Sequence, residues 1–190
     1  MKVKTILVSQ PEPKTEGSPY FELAQKQNVK VDFHPFSYVE GVDASLVRKQ
    51  KIDLKNYTAV IFNSRNAVDH YFRIAEEMRF KVPDDMKYFC QTETVAFYLQ
   101  KYVVYRKRKI YIGGKMFDDL VKIIKKHKTE SFLMPTSDSL RPEITSALNE
   151  TGIKWDRVVL YNNVNSDLSD IADKKYDVLV FFTPDRKSVV

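Results

Sequence analysis

Hydroxyl side chains recur at the ends of apolar runs. Ser64 follows TAVIF, Thr92 and Thr94 follow KYFC, Thr136 and Ser137 follow SFLM, and Thr183 follows VLVFF. If these runs are parallel strands, their carboxyl ends are where loops and helix N-termini converge and where open α/β sheets bind ligands. A hydroxyl beside the unpaired N–H groups of a positive helix end suits a carboxylate or a phosphate. Ser and Thr are also ordinary N-caps, so capping alone accounts equally well for any one of them. Tyr161 ends the run RVVLY, where the chain is expected to leave one domain and cross back to another, so its hydroxyl could face a cleft. A strand-end tyrosine also serves as packing.

Other chemistries find little support. IGGK at 112 to 115 has neither Walker spacing nor the dinucleotide G-x-G-x-x-G pattern, and five glycines in all argue against either loop. His34, His70 and His127 show no paired ligand spacing, so no metal site is expected and each reads as a surface or satisfied imidazole. Cys90, the only cysteine, lies in an apolar run as a core thiol, which excludes an internal disulfide and any multi-cysteine metal site. No G-x-S-x-G elbow occurs. The basic run KIIKKHK, 122 to 128, fits a helix C-terminus, and YRKRK, 105 to 109, fits a charged edge or turn, or a grip on a polyanion.

The elements that must position the hydroxyls alternate. Short runs rich in β-branched and aromatic residues recur at 4 to 8, 29 to 33, 58 to 62, 87 to 90, 109 to 112, 131 to 134, 157 to 161 and 176 to 182. Between most of them apolar residues fall at helical spacing, as in Val68, Phe72, Ala75 and Met78, or Phe117, Leu120, Val121 and Ile124. Strand and helix in alternation predict an α/β fold with a largely parallel sheet. Ser18-Pro19 marks one helix start; Asp138 or Ser139 is expected to open another, which Gly152 can close.

Two polar-aromatic stretches, 34 to 44 and 160 to 170, break this rhythm and suggest one domain inserted in another. The expected division is a discontinuous outer domain, 1 to 36 and 165 to 190, a linker, 37 to 45 and 156 to 164, and an inner domain, 46 to 155. The last strand has no helix after it, so the outer domain is expected to be incomplete. The terminal DRKSVV matches one translated frame of a common sequencing-library adapter, and the natural coding sequence is expected to diverge near Asp185.

A chain of 190 residues that is 43% hydrophobic and 13% aromatic can bury a core. Its net charge of +6, from 31 basic and 25 acidic residues, is a mild excess compatible with an anionic partner or with a mixed-charge solvated surface. The N-terminal apolar run is too short for a signal peptide and no run of about 18 apolar residues occurs, so a cytoplasmic protein is expected.

These residues, in this order, resemble uroporphyrinogen-III synthase, and the likeness reaches to about Pro184. ILVSQPEPKTEGSPYFELAQKQNVKVDFHPFSYVE is similar to that family's first strand, helix, second strand and exit. AVIFNSRNAVDHYF is similar to its strand, Ser-bearing turn and helix with an Ala-Val pair. Arg141, Ile144, Leu148 and Gly152 follow its spacing in RPEITSALNETGI, VVLYNN carries its tyrosine on Tyr161, and VLVFFTP is similar to the strand that re-enters the first domain. Gln91 departs from it, standing where the family commonly has Gly.

The resemblance implies two flavodoxin-like parallel-sheet domains joined by a two-stranded linker, the first discontinuous and incomplete here, with substrate in the cleft between them. It implies conversion of hydroxymethylbilane, a linear tetrapyrrole rich in carboxylates, into uroporphyrinogen III by loss of water, inversion of the last pyrrole ring and closure. No metal or organic cofactor is implied, and no nucleic-acid or membrane partner; a monomer is expected. Tyr161 would be general acid or hydrogen-bond donor to the leaving hydroxyl, and Ser64, Arg65, Thr94, Ser137, Arg141 and Thr183 would grip carboxylates. The truncated chain is expected to be inactive. The alternatives are a non-catalytic flavodoxin-like domain that binds a polycarboxylate and, on charge alone, a nucleic-acid-binding protein.

Overall fold

Among the described residues, the helices that start at Pro19, Arg65, Glu93 and Pro142 begin where a side chain or a proline satisfies the first turn. In the computed structural model, which describes residues 3–15 and 17–181, Ser18 Oγ accepts from the Tyr20 N–H at 3.4 Å and Pro19 occupies the first turn of α1 (Pro19–Gln27). Asn28, in the left-handed region at φ 50°, ends that helix. Thr183 and the terminal DRKSVV lie outside the described residues.

The chain divides into two units: residues up to Tyr38 together with those from Val164 on, and Val39–Asn163. In the first, β1 (Thr5–Val8) is flanked by β2 (Lys30–Phe33) and β9 (Val178–Val180), both parallel to it. Tyr20 and Phe21 of α1 meet Phe33 edge to face at 5.5 and 6.1 Å. The Asp177 carboxylate accepts from the backbone N–H groups of Lys4 at 2.7 Å and Thr5 at 3.0 Å, pinning the entry of β9 to that of β1.

The second unit is centred on a six-stranded sheet in the order β3-β8-β7-β4-β5-β6. Its strands are β3 (Ser37–Gly41), β4 (Ala59–Phe62), β5 (Lys87–Cys90), β6 (Ile110–Ile112), β7 (Ser131–Ser137) and β8 (Lys154–Asn165). The pairs β8-β7, β7-β4, β4-β5 and β5-β6 are parallel. Both faces are covered, as a parallel sheet requires. Along β4, Val60 and Phe62 join one core cluster with Val68, Tyr71 and Ile74 of α3 (Arg65–Glu77) and Leu99 of α4 (Glu93–Leu99). Ala59 and Ile61 join the other, with Leu120 and Ile124 of α5 (Phe117–Ile124) and Leu148 of α6 (Pro142–Asn149). This is the α/β architecture with parallel sheets expected from the strand and helix alternation.

Three local features differ from expectation. After β3 the chain forms α2 (Ala44–Lys49) and a 3₁₀ turn at Leu54–Asn56, both too short for periodicity to reveal. The helix expected to open at Asp138 or Ser139 opens at Pro142, with Arg141 in the cap position. The reason is that β7 runs on to Ser137, whose hydroxyl bonds the Ser139 carbonyl at 2.7 Å, and Pro142 is preset for the first turn. Gly152, at φ 69°, sits beyond the end of α6, in the turn into β8.

Candidate functional site

Strand order places β7 between β4 and β8, with the carboxyl tips of β4 and β7 at one end of the sheet. Ser64 caps α3 in extended conformation, and its Oγ accepts from the Ala67 N–H at 3.1 Å. The same oxygen lies 3.1 Å from the Tyr161 hydroxyl. Tyr161 is brought there by an irregularity in the β7-β8 ladder: Thr136 pairs with Val159, but Ser137 pairs with Tyr161. Without that extra residue Leu160 would lie opposite Ser137, so the bulge re-aims the strand at the tip. Ser64, Ser137 and Tyr161 therefore share one end of the second unit.

The Tyr161 side chain is only 6% exposed. Burial pushes its phenol above the ordinary tyrosine value, the nearby Asp138 adds to this, and the Ser64 hydrogen bond opposes it. The phenol thus keeps its proton at neutral pH and can donate. Ser137, 8% exposed, spends its own proton on the Ser139 carbonyl.

Arg65, Thr94 and Arg141 lie at or near the starts of α3, α4 and α6. Arg65, the first residue of α3, is exposed, with its guanidinium 5.5 Å from the centre of the Tyr98 ring. Thr94 is exposed in the first turn of α4, while Thr92 caps that helix by accepting from the Val95 N–H at 3.4 Å. Arg141 lines a hollow of about 390 Å³ with Gln91, Lys115 and Phe117, and with the acidic Asp118 and Glu143. It is not joined to the Ser64–Tyr161 pair by any hydrogen bond among the described residues. Thr183 lies outside the described residues.

Sequence reasoning missed three contributors. Arg157 braces the tip of β7, donating from Nε to Thr136 Oγ1 at 2.9 Å and from Nη2 to the carbonyls of Ser137 and Asp138 at 2.8 Å each. A cation in the otherwise apolar run RVVLY was its signal. Gln50 pairs its amide with both backbone groups of Val159, at 2.8 and 2.9 Å, which holds β8 just before the bulge. His70 lies against the Tyr161 ring, centroids 5.0 Å apart and planes 18° from parallel. Among the described residues no cluster of His, Cys, Asp and Glu could hold a metal ion, and no helix is long and apolar enough to cross a membrane.

Comparison with known proteins identifies the family and the fold. The family model described as uroporphyrinogen-III synthase HemD matches residues 18–186. Among solved structures, a mutant uroporphyrinogen III synthase from the extremely thermophilic bacterium Thermus thermophilus matches with a TM-score of 0.61 and 11% identity, over 86% of this chain and 64% of that one. Uroporphyrinogen-III synthetase from Helicobacter pylori 26695 matches with a TM-score of 0.56 and 17% identity, over 94% of this chain and 72% of that one. The chain thus spans somewhat less than two thirds of the length of the first and somewhat more of the second, and at such identities the likeness is one of fold. No curated protein matches. The family model spans the strands and helices that carry the Ser64–Tyr161 pair, and the chain belongs to the uroporphyrinogen-III synthase family.

Proposed function

We propose that the strand tips of the second unit bind hydroxymethylbilane and promote its cyclisation to uroporphyrinogen III, with loss of water and inversion of the last pyrrole ring. The observation that carries this reading is the buried phenol of Tyr161 held 3.1 Å from Ser64 Oγ at the carboxyl end of the sheet. A protonated phenol can donate to the hydroxyl that departs as water, and a weak acid retains its proton until that moment. Ser64 orients the phenol, since its oxygen already accepts from the start of α3. What remains for the protein is to hold the chain curled and keep water from the electrophilic carbon that the departing hydroxyl leaves behind.

The carboxylates of such a substrate call for donors spread along one edge. Arg141 and Lys115 at one hollow and Arg65 and Thr94 at the starts of two helices are proposed to supply them, with Thr183 proposed as a further donor on sequence grounds alone. Ser137 fits less well as a grip because its proton is engaged, and it is proposed instead to shape the bulge. The proposal needs no metal, organic cofactor, nucleic acid or membrane, and describes a cytoplasmic monomer.

The test is an assay that separates the type III isomer from the type I product of spontaneous ring closure. It is run on the 190-residue chain, for which inactivity is expected, and on a version extended to family length. Tyr161→Phe is expected to lower turnover about a hundredfold with an unchanged unfolding midpoint. Full activity in that variant would remove the assignment, and binding without conversion by the unmutated extended protein would select the non-catalytic reading.

A further inference from the structure

The helix that Ser64 opens carries His70, Arg73 and Glu77 along one side, and these three do more than cover the sheet. The Arg73 guanidinium is engaged at every corner. Its Nε donates to His70 Nδ1 at 3.2 Å, Nη1 donates to Glu77 Oε1 at 2.6 Å, and Nη2 donates to the carbonyls of Val42 at 2.8 Å and Leu160 at 3.2 Å. Leu160 immediately precedes Tyr161, so one planar fork fixes both the backbone that carries the phenol and the ring that the phenol rests on. Space for the fork is cut at Gly41, where a Cβ would come within 2.9 Å of Nη2.

A guanidinium has only donors, so a hydrogen bond from Nε to Nδ1 requires a lone pair on Nδ1. The imidazole is therefore neutral with its proton on Nε2. Burial first, and then the charge of Arg73, favour the same state, against the opposing pull of Asp69 and Glu77. A neutral ring stacked at 5.0 Å on Tyr161 adds no charge beside the phenol and serves as a flat apolar support for it.

We propose that His70 and Arg73 are positioning residues for Tyr161: Arg73 locks His70 as a neutral platform whose stacked face aims the phenol at Ser64. The contacts belong to the fold, while their consequence for turnover rests on the reading of Tyr161 given above.

Two readouts separate these. In the 190-residue chain carrying 13C-labelled tyrosine, the ring signals of Tyr161, identified by their loss in Tyr161→Phe, should show an upfield ring-current shift. His70→Ala should abolish that shift and leave the signals of Tyr57 and Tyr111 in place, and His70→Phe, which keeps a flat ring, should restore most of it. In whichever version, the 190-residue chain or one extended to family length, forms the type III isomer, His70→Ala should lower kcat about tenfold with KM within about twofold, and His70→Phe should recover most of the loss. Arg73→Met should reproduce the kcat loss, since the Val42 carbonyl and the Leu160 carbonyl next to Tyr161 then lose their donor. A Tyr161 signal indifferent to His70→Ala would overturn the inference, as would a kcat loss that His70→Phe leaves unrepaired. Should the ring-current shifts behave as expected while Tyr161→Phe turns over normally, the positioning stands and the catalytic reading of Tyr161 fails.

Discussion

The two units are assembled from the same parts, parallel strands with interleaved helices, but they bury them differently. In Val39–Asn163, β4 is buried along its whole length, and α3, α4, α5 and α6 each sink at least two side chains into the core. In the other unit α1 buries none, β2 has no fully buried residue, and Leu179 of β9 is 49% exposed. Its sheet is held by backbone pairing, by the Asp177 clasp and by a small aromatic cluster around Phe33. Its Lys26–Glu22 ion pair is exposed at both ends and contributes little. Equivalent hydrogen bonding thus accompanies very unequal burial, and burial supplies most of the free energy of folding.

The largest expected consequence is in hydrogen exchange. Amides of β4, β5 and β7 should exchange at least about a thousandfold more slowly than those of β1, β2 and β9, because local opening of a unit with few buried contacts costs far less than global unfolding. Cys90 gives an independent probe on β5: burial pushes its thiol up to about 12 and hides it, so a thiol reagent should label it only when the second unit opens. Equal protection of the two sheets, or rapid labelling of Cys90 in the native protein, would dissolve the contrast.

Core truncation comes next in size. Phe132→Ala removes a fully buried ring between the sheet and the α5 and α6 layer, and should destabilise the second unit by about 3–5 kcal/mol in denaturant unfolding. Leu7→Ala, in β1, should speed exchange in its own sheet and leave the main transition where it was. A shared shift of that transition in both variants would mean that the units unfold together.

What was legible in the sequence cuts across that division. Apolar runs marked β1, β2 and β9 of the first unit as well as most strands of the second, and α2 and the 3₁₀ turn that went unread belong to the second. Apolar periodicity identified β4, β5, β7 and the helices α3 and α5 because burial on both faces, or along one stripe, leaves a continuous pattern. It did not show α2 or the 3₁₀ turn, which are short and mostly exposed, so no periodic pattern marks them. At the candidate site, Ser64 and Tyr161 were legible as strand-end residues. Their contact was not, because it depends on the register shift between Thr136 and Ser137, which arises from pairing across strands distant in sequence. Arg157 and His70 were hidden for a related reason: each acts through partners on other elements that sequence spacing does not connect.

Helix caps sharpen the comparison at smaller amplitude. Thr92 caps α4, which buries Val95, Ala96 and Leu99, so Thr92→Ala should lower the stability of the second unit by about 1 kcal/mol. Ser18 makes the same kind of cap on α1, which buries nothing. Ser18→Ala should therefore raise exchange within α1 alone. If it moves the main transition as far as Thr92→Ala does, α1 is coupled to the larger core.

The smallest expected effect distinguishes the units by pH. In the second unit His70 and His127 both sit below the ordinary imidazole range, through burial first and then through the charges of Arg73 and of Lys87 respectively. A histidine whose folded value is depressed takes its proton more readily in the unfolded chain. The stability it contributes is present above the ordinary imidazole value and is lost as pH falls from there toward the folded value. The first unit draws its linked stability from Asp32 and Asp177. Asp32 is lowered by hydrogen bonds from Lys30 and Tyr176 that outweigh its desolvation, and Asp177 by the backbone N–H groups of Lys4 and Thr5. That stability persists until pH falls through the carboxylate range. Between about pH 7 and 5.5 the denaturant midpoint of the second unit should thus fall slightly, by less than the Thr92 cap is worth, while exchange in β1 and β2 holds steady. His127→Gln should flatten part of the slope without touching the Tyr161 signals, because His127 packs on Phe89 and Tyr111 in the other core cluster, away from the stack on Tyr161. A slope that survives loss of both imidazoles would place the titrating group elsewhere in the second unit.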